Sequence, residues 1–318
     1  MRRRTSALVA VAVLAGAVPA LTASGSATAR PSDTGHGHDR GRTKPLVIAH
    51  RAGTADAPEN TLVAIRTSLR AGVDGQWLSV QATRDGVPVL YRPTDLSSLT
   101  DGSGAVADRR LRDLAALNAG YQFKDAGGAY PYRAHPVRIP TLGAALDAIP
   151  ANKEVYLDLK QAPAPHVVEA VSRLLDQKRA WGRVRLYSTD AQVTDLLAKN
   201  PRARVAESRD ATRQRLAEVA LERACKSTPP AGSWAGFELK RQMNLQEKFT
   251  LGTGDSAVTA QLWTRESVDC FRSGHKARTP IVMLGINTPQ DLRTATRLGA
   301  NAVLVDSPQQ MIRPPRGH

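Results

Sequence analysis

Short apolar runs alternate with amphipathic stretches along most of this chain. The runs at 46–50, 77–81, 87–91, 155–159, 184–188, 204–206, 258–263, 281–284 and 302–305 are brief and mostly rich in Val, Ile, Leu and aromatics. That is the pattern of strands. Between many of them apolar residues recur at helical spacing, at 62–71, 166–175, 191–199, 212–224, 265–273 and 289–298. Strands alternating with helices predict an α/β fold, a parallel sheet covered by helices. From about 44 to 311 no linker-like break interrupts the alternation, and that length suits one (β/α)8 barrel. An eight-stranded barrel leaves one of the nine candidates over, and the weakly periodic region near Val258 is taken as an insertion.

The first residues read differently. Arg2, Arg3 and Arg4 precede an apolar run from Ala7 to Leu21, and a small-residue stretch ends at Ala29. This is the layout of a secretory signal peptide over 1–29, with cleavage after Ala29. The run is too short for a spanning helix, and no later segment is long and apolar enough for one, so the expected location is secreted. Residues 30–44 hold Gly, Ser, Pro and charge with almost no apolar content, which predicts a flexible lead-in to a domain over 45–318.

Charge narrows the partners. The chain has a formal net charge of +15; removal of the leader, three arginines and no acid, lowers this to +12 (15 − 3). Such a field favours an anionic partner: a phosphorylated small molecule, a lipid headgroup or an envelope polymer. Nucleic acid is not expected, because the basic residues are scattered, aromatics are few and no nucleic-acid motif is present. Cys225 and Cys270 are the two cysteines. In an exported chain a structural disulfide between them is favoured over a thiol nucleophile or a thiolate metal site.

Candidate chemistry begins at the end of the first apolar run. His50 and Arg51 follow Val47-Ile48-Ala49, and Pro58-Glu59-Asn60-Thr61 then leads into a helical pattern. Strand C-terminal ends carry the active sites of α/β proteins. There a histidine can act as acid or base and an arginine can grip an anionic oxygen. A surface loop that only solvates the strand end is the competing reading.

These segments, with Ala71-Gly72-Val73-Asp74-Gly75, Thr83-Arg84-Asp85-Gly86-Val87-Pro88-Val89, Leu99-Thr100-Asp101-Gly102-Ser103-Gly104 and Gly299 to Pro308, resemble the glycerophosphodiester phosphodiesterases over nearly all of the proposed domain. The resemblance implies a TIM barrel of the phospholipase-C-like phosphodiesterase type and hydrolysis of glycerophosphodiesters to glycerol 3-phosphate and an alcohol. It also implies two histidines as acid and base and a divalent cation, calcium or magnesium, on a Glu-x-Asp pair and a later acidic residue. Hard oxygen ligands suit such a cation, which neutralises phosphoryl charge. On this resemblance His50 matches the first histidine and Arg51 the phosphate-binding arginine. Glu59 matches the acid that positions a hydroxyl or ion, Asp158 the later metal ligand, and Lys160 the lysine that follows it.

The departures fall on the chemistry. Trp77-Leu78-Ser79 stands where the family has Glu-x-Asp, Arg92-Pro93 where it has His-Asp, and Met283-Leu284-Gly285 where it has a Trp-Thr pair. Two of three acidic ligands and the second histidine are therefore replaced, and serine and indole are poor substitutes for carboxylates. Two readings remain open. In one, a phosphodiesterase works without the metal: His50 is the base, and Arg51, Arg92 and Lys160 carry the charge stabilisation, as an arginine does in bacterial phosphatidylinositol-specific phospholipases C on a similar barrel. In the other, catalysis is lost and the barrel binds a phosphorylated glycerol, sugar or envelope polymer, with Trp77 and Glu59 at the ligand or Trp77 merely filling the cation's space.

Overall fold

The protein is described by a computed structural model over residues 44–274 and 278–312. The strands are β1 (Leu46–His50), β2 (Gly75–Ala82), β3 (Pro88–Leu90), β4 (Glu154–Leu159), β5 (Val184–Tyr187), β6 (Arg204–Val205), β7 (Ala235–Glu238), β8 (Arg241–Phe249), β9 (Gly252–Ala260), β10 (Ile281–Leu284) and β11 (Ala302–Val305). The helices are α1 (Leu62–Ala71), α2 (Leu111–Leu114), α3 (Pro131–Ala134), α4 (Leu142–Ala148), α5 (Ala164–Gln177), α6 (Ala191–Ala198), α7 (Arg209–Glu222), α8 (Arg265–Arg272), α9 (Pro289–Leu298) and α10 (Pro308–Ile312).

Eight strands pair in the order β6, β5, β4, β2, β1, β11, β10, β7, parallel at every step. The ring closes between β6 and β7 through one isolated parallel bridge, Ala206 with Trp234, beside which the Glu207 N–H donates to the Trp234 carbonyl at 2.8 Å. This is the TIM barrel the alternation predicts.

The expected strands differ from the observed ones in two places. The run at 87–91 contains β3, which pairs antiparallel with β2 outside the ring. The region near Val258, expected as an insertion, does lie outside the ring, in β9 of a separate β8–β9 hairpin. Strand β7 was not expected, because Ala-Gly-Phe-Glu offers a single bulky apolar residue to a pattern search. The leader and the lead-in expected over 1–44 lie, apart from Lys44, outside the described residues. Among the described residues no helix is long and apolar enough to cross a membrane.

Local chemistry explains the joints. Thr61 caps α1, its hydroxyl accepting from the Ala64 N–H at 3.2 Å, and Gly72 ends the helix at φ +99°. Both are standard helix boundaries. Gly75 opens β2 where a Cβ would come within 2.5 Å of the Glu154 carbonyl oxygen, so only glycine lets β4 approach. Between β3 and β4 a long insertion holds α2 and α3 and keeps its own apolar cluster, with Leu96, Val106, Leu114 and Ile139. A disulfide joins Cys225, just after α7, to Cys270 on α8, with Cα atoms 5.5 Å apart.

Register decides what faces the barrel interior. His50 lies opposite Trp77, and Trp77 opposite Tyr156; one step further along, Ser79 lies opposite Asp158, and Asp158 opposite Tyr187. Opposed residues in a sheet share a face, and alternate residues share it too. Both rows therefore line the inner wall. Trp77, Tyr156, Tyr187 and Trp234 pack there with Ile48, Val282 and Leu304, while Leu78, Val80 and Leu157 face the helices.

Candidate active site

The C-terminal end of β1 makes an unusual turn. Arg51, Ala52 and Gly53 all have positive φ, at 47°, 70° and 101°, a region costly for residues with a Cβ. The turn is held by N–H groups of Gly53 and Thr54, which donate to the His50 carbonyl at 2.8 and 3.1 Å. Asn60, also left-handed at φ 59°, donates its N–H to the Arg51 carbonyl at 2.8 Å and accepts at its side-chain oxygen from the Ser79 N–H at 2.9 Å. Backbone strain is thus concentrated where His50 and Arg51 emerge, and β1 and β2 are pinned together there.

His50 is coupled to the last strand. Its Nδ1 lies 2.5 Å from Oδ1 of Asp306, the residue after β11, and the other oxygen of Asp306 accepts from the Asn287 amide at 2.6 Å. With the Nδ1 proton donated to a carboxylate, Nε2 becomes the basic nitrogen. Burial alone raises the Asp306 carboxyl, but the His50 hydrogen bond and charge, with Asn287 and Arg51, outweigh it and hold the group below its ordinary value. It therefore stays ionised beside the imidazole.

Arg51 turns to Glu59. The pair is 2.6 Å apart and mostly buried, and the Thr54 hydroxyl donates to the same carboxylate oxygen at 3.1 Å. Arg51 Nε, by contrast, is buried with no hydrogen-bond partner. Glu59 thus orients the guanidinium as one side of a fork, leaving a donor over for a ligand.

On β4, Asp158 is 6 % exposed, with Lys160 Nζ 3.1 Å away; Lys160 also donates to the Thr189 hydroxyl at 3.1 Å. Burial pushes the Asp158 carboxyl up, with Lys160, the Trp77 indole and the more distant His50 opposing. Opposite Asp158, the Ser79 hydroxyl is buried and has no partner. Arg92 is exposed and, with Lys160, Thr94 and Thr189, lines a groove of about 530 Å³ along the barrel rim. The structure thus links His50 to Asp306, Arg51 to Glu59, and Lys160 to both Asp158 and Arg92's groove.

Trp77 takes no place at the surface of this site. It is 2 % exposed, its ring 5.8 Å from Tyr156, 5.0 Å from Tyr187 and 6.1 Å from Trp234. Of the two roles the sequence left open for it, the observed one is filling, since the inward position on a barrel strand has to be packed. The family's cation does not fit this donor set. Indole replaces one carboxylate and a serine another, Glu59 is committed to Arg51, and Asp158 faces Lys160 Nζ at 3.1 Å, its buried Oδ1 making no hydrogen bond. Among the described residues no three His, Cys, Asp or Glu side chains gather as metal ligands do.

Several site residues escaped the sequence reading. Asp306 lies within a quoted motif, but nothing in one sequence showed that it meets His50. Asn287 carried no signal. Neither did a second polar group at the mouth, in which Arg209 at the start of α7 grips Glu238 at the end of β7 through bonds of 2.6 and 2.7 Å and donates to the Tyr187 hydroxyl at 3.1 Å. Burial drives the Tyr187 hydroxyl up to about 12 against the pull of Arg209, so it remains a neutral donor.

The chain resembles known proteins over most of its length. The chain is 49 % identical over 265 residues to the Mycobacterium tuberculosis protein named Uncharacterized protein Rv2277c, covering 83 % of this chain and 87 % of that one. The crystal structure of the glycerophosphoryl diester phosphodiesterase domain of Rv2277c superposes with a TM-score of 0.78 at 46 % identity, covering 85 % of this chain and 99 % of that domain. Mouse glycerophosphodiester phosphodiesterase 1 is 37 % identical over a shorter stretch of 122 residues, 37 % of this chain and 35 % of its own. An Agrobacterium tumefaciens glycerophosphodiester phosphodiesterase shares the fold at 19 % identity and a TM-score of 0.60, over 84 % of this chain and 99 % of its own. The family profile matches residues 50–310, from His50 through β11 and into α10, and the chain belongs to the glycerophosphoryl diester phosphodiesterase family.

Proposed function

We propose that this barrel hydrolyses a phosphodiester of the glycerophosphodiester class without the family's divalent cation. The observation that carries the reading is the His50–Asp306 pair, a fixed and oriented imidazole at the end of β1. In this mechanism Nε2 of His50 takes a proton from an attacking water, and the phosphorus–oxygen bond to the alcohol breaks as the new one forms. The departing alkoxide takes its proton from solvent, and the Asp306 carboxylate stabilises the imidazolium until it returns its proton to water. Charge on the phosphoryl oxygens is met by Lys160 and Arg92 from one side and by the spare Nε–H of Arg51 from the other. The buried Ser79 hydroxyl supplies a neutral donor between them.

The protein is proposed to act outside the cytoplasm. The leader-like first residues support this, and so does the Cys225–Cys270 bridge, since structural disulfides persist mainly in oxidising compartments.

The test is release of glycerol 3-phosphate from glycerophosphocholine after exhaustive chelation. Activity that survives the chelator and is removed by His50→Ala supports the proposal. Activity that vanishes with chelation and returns with calcium or magnesium overturns the metal-free part. If no diester is cleaved while glycerol 3-phosphate raises the melting temperature, the barrel is a binding protein; the filling of the barrel by Trp77 favours that second reading.

A further inference from the structure

The β8–β9 hairpin belongs to no layer of the barrel. It leaves the mouth directly after β7 and pairs only with itself, from Arg241 opposite Ala260 to Phe249 opposite Gly252. Its root is tied beside the proposed site, with Arg241 3.9 Å from Glu238. A two-stranded ribbon of this kind has no second layer against which to bury an apolar side chain.

It nonetheless carries them. Met243 and Val258 are cross-strand partners and lie on the same face as Phe249, at alternate positions of the ribbon. Their exposures are 44 %, 40 % and 63 %, and Leu251 in the turn is 99 % exposed. Among the described residues six large hydrophobics are exposed, and these are four of them. Scattered single hydrophobics are ordinary on a surface, but a concentration on one projecting element marks an interaction site.

We propose that the tip of this hairpin, led by Phe249 and Leu251, inserts shallowly into an anionic lipid surface. The apolar residues sit at the end of a protrusion, a shape suited to the boundary between headgroups and acyl chains. Backbone groups of the turn stay among the headgroups there, and do not enter hydrocarbon where they would lack partners. Charge supports the match at the level of the chain: the hairpin is itself neutral, Arg241 and Lys248 balancing Glu247 and Asp255, while the chain without the expected leader carries a formal +12, which draws it to an anionic leaflet. Such docking sets the barrel mouth, where the hairpin is rooted, close to the lipid. The inference stands on the hairpin's surface and does not depend on catalysis.

Co-sedimentation of the full chain with vesicles tests it. Binding to phosphatidylglycerol–phosphatidylcholine vesicles is expected, and the double variant Phe249→Ser with Leu251→Ser should bind about tenfold more weakly or worse. Its melting temperature should change little, since Leu251 is fully exposed and Phe249 rests only on Gly254 of the same hairpin. A second readout uses Leu251→Trp: the four native tryptophans are all buried, so an added exposed indole gives a red-shifted emission that moves to the blue on vesicle binding. Equal binding of the wild type and the double variant would mean electrostatic adsorption alone and would overturn the proposal. So would absence of binding by the wild type, or self-association in sedimentation velocity that the double variant abolishes, which would assign the hairpin to a second copy of the chain.

Discussion

Nδ1 of His50 and Oδ1 of Asp306 meet at 2.5 Å across 256 positions of sequence. They do so because β1 and β11, the first and last strands, are neighbours in the ring. The contact is therefore both the proposed catalytic device and a tie between the two ends of the barrel.

The tie has a pH signature. Asp306 titrates below its ordinary value of 3.8 in the folded chain, so its carboxylate contributes stability above that value, and the contribution is lost as pH falls through the lowered one. Asp306→Asn should lower the melting temperature at neutral pH, and the gap from wild type should narrow below about pH 4. Thermal melts across the acid range decide this; a gap independent of pH would mean that the carboxylate's charge is irrelevant.

Ser79 offers a cleaner separation of stability from binding. Its hydroxyl is buried without a partner, so Ser79→Ala should leave stability unchanged or slightly raised. Affinity for glycerol 3-phosphate, measured by calorimetry, should fall by about 0.5–1.5 kcal/mol, roughly two- to tenfold, if the hydroxyl meets the ligand. Unchanged affinity would remove Ser79 from the site.

Trp77 should behave in the opposite way. Three aromatic neighbours enclose it, and Trp77→Ala is expected to cost about 3–5 kcal/mol in urea unfolding. A loss below about 1 kcal/mol would be out of keeping with a packed role.

The disulfide should matter for stability and not for chemistry. It closes a separation of 45 residues, and replacing Cys225 and Cys270 together by serine should cost about 2–5 kcal/mol. Turnover or ligand affinity per folded molecule should stay as it was.

The fold was legible because the barrel repeats one signal, an apolar run followed by a helical period. It failed where that signal is thin. Strand β7 has Phe237 as its one large apolar residue, and β3 carries a good strand pattern yet lies outside the ring. The site was legible at strand ends, where His50, Arg51, Asp158 and Lys160 interrupt apolar runs. Their pairings were not, because Asp306 and Asn287 meet His50 through the closure of the ring, which no local window contains. For Trp77, filling was favoured over ligand contact, and its burial among the rings of Tyr156, Tyr187 and Trp234 is something a sequence position alone could not show.

Ring closure also has a weak side. Strand β6 is two residues long, and the wall between β6 and β7 is one bridge wide. What reinforces it lies just outside: Arg215 on α7 grips Glu207 through two bonds of 2.5 and 2.6 Å, and Thr212 donates to the same carboxylate at 2.9 Å. A buried ion pair of this kind is costly to leave half-made. The barrel is therefore a band with a buckle, and α7 is its pin: amide exchange should begin at Ala206 and Trp234, well before the long β1–β2–β4 wall gives way.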